Sequence, residues 1–168
     1  MYTPSIDNVQ IFTALRSWLL SILPANTEVV QGLDNRVPTP LDSFVLMTPI
    51  TRERLATNTD SLYAVTGGVN QSVLSPWKHG IQIDCFGPQS DEWMQAIVTL
   101  WRDDFAVSQF PAGITPLYAD DPRQLVFVDD QMQYDRRWMA MLYLQADPVI
   151  TTPAQSATTL TTPTPNPA

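Results

Sequence analysis

Cysteine, histidine and lysine are nearly missing from this sequence. Its 168 residues hold one cysteine (Cys85), one histidine (His79) and one lysine (Lys78). A single cysteine excludes an intrachain disulfide framework and suits a reducing compartment. No stretch of about 18 consecutive apolar residues occurs, so no membrane-spanning helix is expected. The start, Met1-Tyr2-Thr3-Pro4, lacks the basic and apolar regions of a secretory signal, which leads us to expect a soluble protein made in the cytoplasm. Basic charge is short as well: 9 Lys and Arg face 17 Asp and Glu, for a net charge of −8. Contacts to nucleic-acid phosphates rely on Lys and Arg, so this balance argues against sequence-reading DNA or RNA binding.

What the chain does hold is apolar bulk. Hydrophobic residues make up 44 %, with five Trp, six Phe and five Tyr, enough for one domain with a substantial core. Eight of the nine basic residues are arginines. Arginine favours fixed, bidentate or stacked pairs, which leans toward protein partners.

A search for catalytic groupings returns little. His79 and Cys85 are not spaced as a base–nucleophile pair; His79 reads as structural or solvent-facing and Cys85 as a small core residue. The acidic pairs Asp103-Asp104, Asp120-Asp121 and Asp129-Asp130 invite a metal or two-carboxylate reading. Aspartates are common in turns because they bond their own backbone there, and the ligand spacing of a calcium loop is missing. No phosphate-cradling glycine loop, zinc spacing or Gly-x-Ser-x-Gly elbow is present. We therefore expect no cofactor, no metal and no enzyme. A small acidic enzyme using His79 or an Asp pair stands as the competing reading of a different class.

The pattern of apolar residues predicts an α+β fold. Residues 5–23 read as a helix started by Pro4 and Ser5 and stopped by Pro24, with Val9, Phe12, Leu15, Leu19 and Ile22 as its stripe. Strands are expected at 27–33, 43–50, 73–86, 123–129 and 134–146, and a second helix at 90–107 with Ser90 as N-cap. In the last strand, Trp138, Ala140, Leu142 and Leu144 take one face, and both faces read as covered. Residues 34–40 form a stiff proline loop, and 51–72 form an extended arm or long hairpin. The architecture is thus a mostly antiparallel sheet of about five strands with two helices packed on it. It occupies residues 1–150, and 151–168 form a Thr/Pro-rich extended tail.

Four segments carry a family likeness. They are Asn35-Arg36-Val37-Pro38-Thr39-Pro40 leading into Phe44-Val45-Leu46-Met47-Thr48-Pro49; Gln82-Ile83-Asp84-Cys85-Phe86-Gly87 before the helix from Ser90; Pro116-Leu117-Tyr118-Ala119-Asp120-Asp121-Pro122; and Tyr134-Asp135-Arg136-Arg137-Trp138. In this order, over roughly residues 27–150, the chain resembles the neck or tail-terminator proteins of tailed bacteriophages. The resemblance implies a virion protein of the neck, assembled in the host cytoplasm and forming a ring with copies of itself, usually a hexamer. Such a ring caps the tail tube protein, meets a head-side connector or stopper protein, and lets DNA pass without sequence-specific binding. A head-to-tail stopper or adaptor ring of the same neck is the alternative. On this reading Arg36, Pro38, Pro40, Arg52, Arg54, Arg136 and Arg137 are the candidate subunit-interface residues. The alternative for Arg136 and Arg137 is pairing within the subunit, with Asp84 or Asp135. Asp120, Asp121, Asp129 and Asp130 are candidates for an acidic lining of the lumen, or else plain solvated turns.

Overall fold

The chain was described from a computed structural model covering residues 1–33, 40, 42–128 and 134–155, with side chains outside 126–128 and 134–135. In chain order the elements begin with α1 (Asn8–Ile22), β1 (Glu28–Gln31), β2 (Phe44–Arg54), β3 (Thr59–Val65), β4 (Gly68–Leu74) and β5 (Trp77–Phe86). They continue with α2 (Ser90–Trp101), α3 (Asp104–Gln109), β6 (Ile114–Ala119), β7 (Arg123–Val128), β8 (Tyr134–Ala146) and β9 (Val149–Ala154). The fold is α+β with mostly antiparallel pairing, as expected from the sequence. Among the described residues only the β1–β2 pairing is parallel.

A six-stranded sheet runs β1-β2-β5-β8, with β6 and β7 in line along the far edge of β8. Side chains alternate between its faces. Val45 and Met47 of β2, Ile81, Ile83 and Cys85 of β5, and Ala140, Leu142, Leu144 and Ala146 of β8 point to one face and are buried. Ile11, Phe12, Leu15, Trp18 and Leu19 of α1 and Trp93, Met94, Ile97, Val98 and Trp101 of α2 join them in a single core. Trp18, Trp101 and Phe110 interlock at its centre, Trp18 edge-on to Trp101 at 5.1 Å and Trp101 edge-on to Phe110 at 5.5 Å.

Several expectations shift by a turn or more. α1 begins at Asn8, because Asp7 and Gln10 form a reciprocal capping box with both bonds at 2.8 Å. Ser5 lies outside the helix and binds β9 instead. Val9 is 71 % exposed and belongs to the solvent face. The second helix breaks at Arg102-Asp103, where the Asp103 carboxylate accepts from the Phe105 N–H and restarts the chain as α3. Phe105, inside the expected helix, is exposed. Ser90 is a buried residue of α2 and not its N-cap; its hydroxyl reaches the Arg136 carbonyl at 3.4 Å. Residues 114–119, outside the strands expected from the sequence, form β6 in spite of Pro116. Gly87, at φ +111°, turns β5 into α2, and a side chain there would meet Ser43.

The arm is the largest surprise. A second, three-stranded sheet runs β3-β4-β9, matching the order β2-β5-β8 in the first. Each of those three strands continues from one sheet into the other: β2 through residues 55–58 into β3, β4 through Ser75-Pro76 into β5, and β8 through Asp147-Pro148 into β9. Pro76 and Pro148 lack the N–H that a ladder needs, so the sheet breaks there. Bonds from Leu55 N–H to the Pro76 carbonyl (3.0 Å) and from Ser75 N–H to the Pro148 carbonyl (3.1 Å) bridge the break. The expected boundary at 150/151 falls inside β9, and residues 156–168 lie outside the described residues.

The core and the cap make separable contributions. Leu15→Ala should lower the unfolding free energy by about 2–5 kcal/mol, the usual range for a truncated buried leucine. Asp7→Ala should cost about 1 kcal/mol through loss of the cap. Urea titrations of both variants check this, and equal losses would contradict it.

Candidate assembly surfaces

The two groups that sequence reasoning weighed as reactive are sealed in the sheet. Cys85 is fully buried, and burial, with the Asp84 charge adding to it, pushes its thiol far up from its ordinary value. A thiol held protonated is a poor nucleophile. His79 is buried opposite Arg52 in the β2–β5 register. Burial first, and then the Arg52 charge, lower its pKa from 6.5 to about 4, so the ring is neutral at pH 7. Its Nε2 is buried with no hydrogen-bond partner. Among the described residues no cluster of His, Cys, Asp and Glu is placed to hold a metal ion.

The second face of the main sheet carries a polar and aromatic layer instead of a helix. Side chains at 78, 82, 84 and 86 of β5 and at 137, 139, 141, 143 and 145 of β8 lie on it, half-burying one another. Asp84 is the exception, with a side chain only 1 % exposed. Its Oδ1 accepts from Nε and Nη2 of Arg137, both at 2.9 Å, and its Oδ2 from Gln82 Nε2 at 2.7 Å. Arg137 also lies 5.4 Å over the Phe86 ring, which stacks on Phe44 at 4.5 Å. At the other end Tyr118 and Tyr143 stack at 4.4 Å beneath Lys78, which pairs with Glu53 at 2.9 Å. The hydrogen bonds to Glu53 and then Tyr118 raise the pKa of Lys78, keeping it charged.

These contacts sort the candidate interface residues. Arg137 is committed to Asp84, one of the two intrachain pairings left open by the sequence. Arg52 stacks on Trp77 at 5.1 Å, Arg136 reaches the Pro88 carbonyl at 3.3 Å, and both are exposed. Arg54 is exposed at the end of β2, and Pro40 is half-buried. Asp121 pairs with Arg102 at 2.9 Å, and Asp120 receives the Tyr143 hydroxyl at 3.4 Å. Arg36, Pro38, Asp129 and Asp130 lie outside the described residues. The structure does not gather the arginines into one patch: Arg52 and Arg54 sit near the arm, Arg136 by the β5–α2 turn.

The arm adds a surface that sequence reasoning named only as a segment. Every residue of β3 is exposed, with Leu62 at 67 %, Tyr63 at 44 % and Val65 at 39 %. Leu55 and Ile50 continue this apolar exposure toward the main sheet.

Residues 9–166 match the model of a family described as phage neck terminator protein. The chain belongs to that family. A match this long takes in both sheets and all three helices except the first residue of α1. No individual curated protein matches the chain. As a neck terminator it is a structural protein of the bacteriophage virion. No helix among the described residues is long and apolar enough to cross a membrane.

Two outcomes follow for this neck terminator. The unfolded chain takes up a proton near 6.5 that folded His79 refuses until about 4. Stability contributed by neutral His79 is therefore full above 6.5 and lost as pH falls toward 4, by on the order of 2 kcal/mol. The difference in unfolding free energy between the native protein and His79→Gln should change across that window and stay flat above it. Arg137→Ala, which strands a buried carboxylate, should cost about 3 kcal/mol. Arg102→Ala, which opens an exposed pair, should cost under about 1 kcal/mol. Thermal and urea melts that rank the two equally would contradict the assignment.

Proposed function

We propose that the neck terminator forms a ring, hexameric in our reading, that caps the tail tube and joins it to the head-side connector while DNA passes through. The observation that carries this reading is the family membership over residues 9–166. A cyclic ring needs a heterologous contact, in which one patch of a subunit meets a different patch of its neighbour. Exposed charge is unevenly placed: Arg52 and Arg54 lie beside the arm, while Asp91, Glu92, Asp103 and Asp104 are exposed on α2 and α3. That separation supports contact between the arginine end of one subunit and the acidic helices of the next. In this reading Arg36, Pro38, Pro40 and Arg136 are secondary contacts, and Arg137 acts only by shaping the sheet face. Asp120, Asp121, Asp129 and Asp130 line the lumen, where negative charge keeps duplex DNA from sticking. A structural role without catalysis fits this reading, since burial lowers the pKa of His79 and raises that of Cys85, leaving neither primed as a base or nucleophile.

Purified protein mixed with tail tubes and imaged by electron microscopy tests the reading. Rings should sit on one tube end and stop further growth. Arg54→Glu should reduce ring formation about tenfold or more, the effect of replacing one attraction by a repulsion. A ring bound only to the head-side connector, never to tubes, would favour the stopper role. A strict monomer that leaves tubes uncapped would overturn both.

A further inference from the structure

Every edge of a sheet displays unpaired N–H and C=O groups that can template pairing with another chain, and folded proteins usually blunt them. Most edges here are blunted. On β1, the Val29 carbonyl accepts from Arg16 Nε at 3.0 Å. The stretch of β2 beyond its pairing with β1 carries Pro49, a register shift between Pro49 and Thr51, and the charges of Arg52, Glu53 and Arg54. On β6, Trp101 Nε1 takes the Tyr118 carbonyl and Arg102 Nη2 the Ala119 carbonyl. On β9, Val149 exchanges both of its backbone groups with Ser5, each at 3.0 Å, and Pro153 has no N–H to offer.

The Val149 contact also fixes which residues face which way. Val149, Thr151 and Pro153 turn their backbone groups away from β4, so Ile150, Thr152 and Ala154 bond to Val73, Gln71 and Val69. The alternate residues of β4 then bond to Thr59, Ser61, Tyr63 and Val65. Asp60, Leu62 and Ala64 of β3 consequently point their N–H and C=O outward, and no backbone bond to them is found among the described residues. β3 carries no proline and no register shift, and its single charge is Asp60. Apart from β7, whose side chains are only partly described, it is the one edge for which the described residues supply no blunting device.

We infer that β3 pairs antiparallel with β3 of a second copy across a twofold axis through Leu62, joining two three-stranded sheets into one. This edge is self-complementary. With Leu62 opposite Leu62 of the second copy, Asp60 falls opposite Ala64, so the only charge of the edge does not meet itself. Three hydrogen-bonded pairs of two bonds each satisfy about six backbone bonds. Asp60, Leu62 and Ala64 share a face with Val69, Val73 and Ile150. Pairing lays the two copies of this mainly apolar face side by side. The contact is isologous and so differs from the head-to-tail contact of a ring; it holds or fails independently of the ring reading. In a ring-forming subunit it would bring two rings together through their arms.

Sedimentation velocity on the full chain across a concentration series is the test, with hydrogen exchange read at single amides. The expected result is a twofold step in mass: monomer to dimer, or ring to paired rings. Amides of Asp60, Leu62 and Ala64 should gain protection as that step occurs, while those of Ser61 and Tyr63 stay constant. Ala64→Pro removes an outward N–H without touching a hairpin bond and should weaken the step about tenfold. Leu62→Lys, which sets two ammonium groups against each other, should abolish it. Unchanged protection at Ser61 and Tyr63 in both variants shows the hairpin still folded. The inference is overturned if no twofold step occurs or if both variants keep it. It is equally overturned if the three amides gain protection only on adding tail tubes, which would make the strand donor a different protein. Capping of tubes by Leu62→Lys separates the outcomes: retained capping leaves the ring reading intact whatever β3 does.

Discussion

The backbone ladder of β5, held on both sides by β2 and β8, is the constraint on which the remaining structure depends. Ten residues of β5 pair with each neighbour, and the register sets the side of the sheet on which each side chain stands. A slip of one residue would move Ile81, Ile83 and Cys85 out of the core and drive Gln82 and Asp84 into it. The apolar alternation on β5 and β8 opposes that slip, because the helices offer one apolar wall. The Asp84–Arg137 pair opposes it on the other face, since Asp84 stands opposite Met139 and Arg137 is the same-face diagonal neighbour two residues along β8. Packing and ion pairing thus specify the same alignment.

The same ladder explains why a sheet face without a helix is still ordered. Its aromatic pairs, Phe44 with Phe86 and Tyr118 with Tyr143, bring apolar area together, and each has a cation above it. Lys78 and Arg137 spend their charge on neighbours of their own chain. In a protein with 9 basic residues, Arg52, Arg54, Arg123 and Arg136 are among the exposed cations suited to outside partners, whereas the exposed acids are many.

Much of the main sheet was legible in the sequence. α1, β2, β5, α2 and β8 announce themselves through apolar periodicity bounded by Pro24, Gly87-Pro88 and similar stops. β6 was hidden because Pro116 lies within it; an edge strand tolerates proline where a central strand does not. β3 and β4 were hidden for a different reason. Both faces of the arm meet water, so Thr59 to Leu74 shows no alternation, and Gly67-Gly68 alone is a weak turn signal. β9 was masked by its threonines and Pro153, which resemble a low-complexity tail although threonine suits a strand. For the surfaces, residue types suggested the arginines, but which carboxylate holds Arg137 is a matter of cross-strand register, and no local pattern encodes it.

The break between the two sheets has a mechanical consequence. Where Pro76 and Pro148 interrupt the ladder, the arm is tied to the body by bonds at Leu55, Ser75 and the Ser5–Val149 pair. A pull on the arm meets these few ties in series before it reaches the long β2–β5–β8 ladder. These bonds, with the three backbone crossings, set how firmly the arm keeps its angle to the body, whereas the body's own ladder does not depend on them.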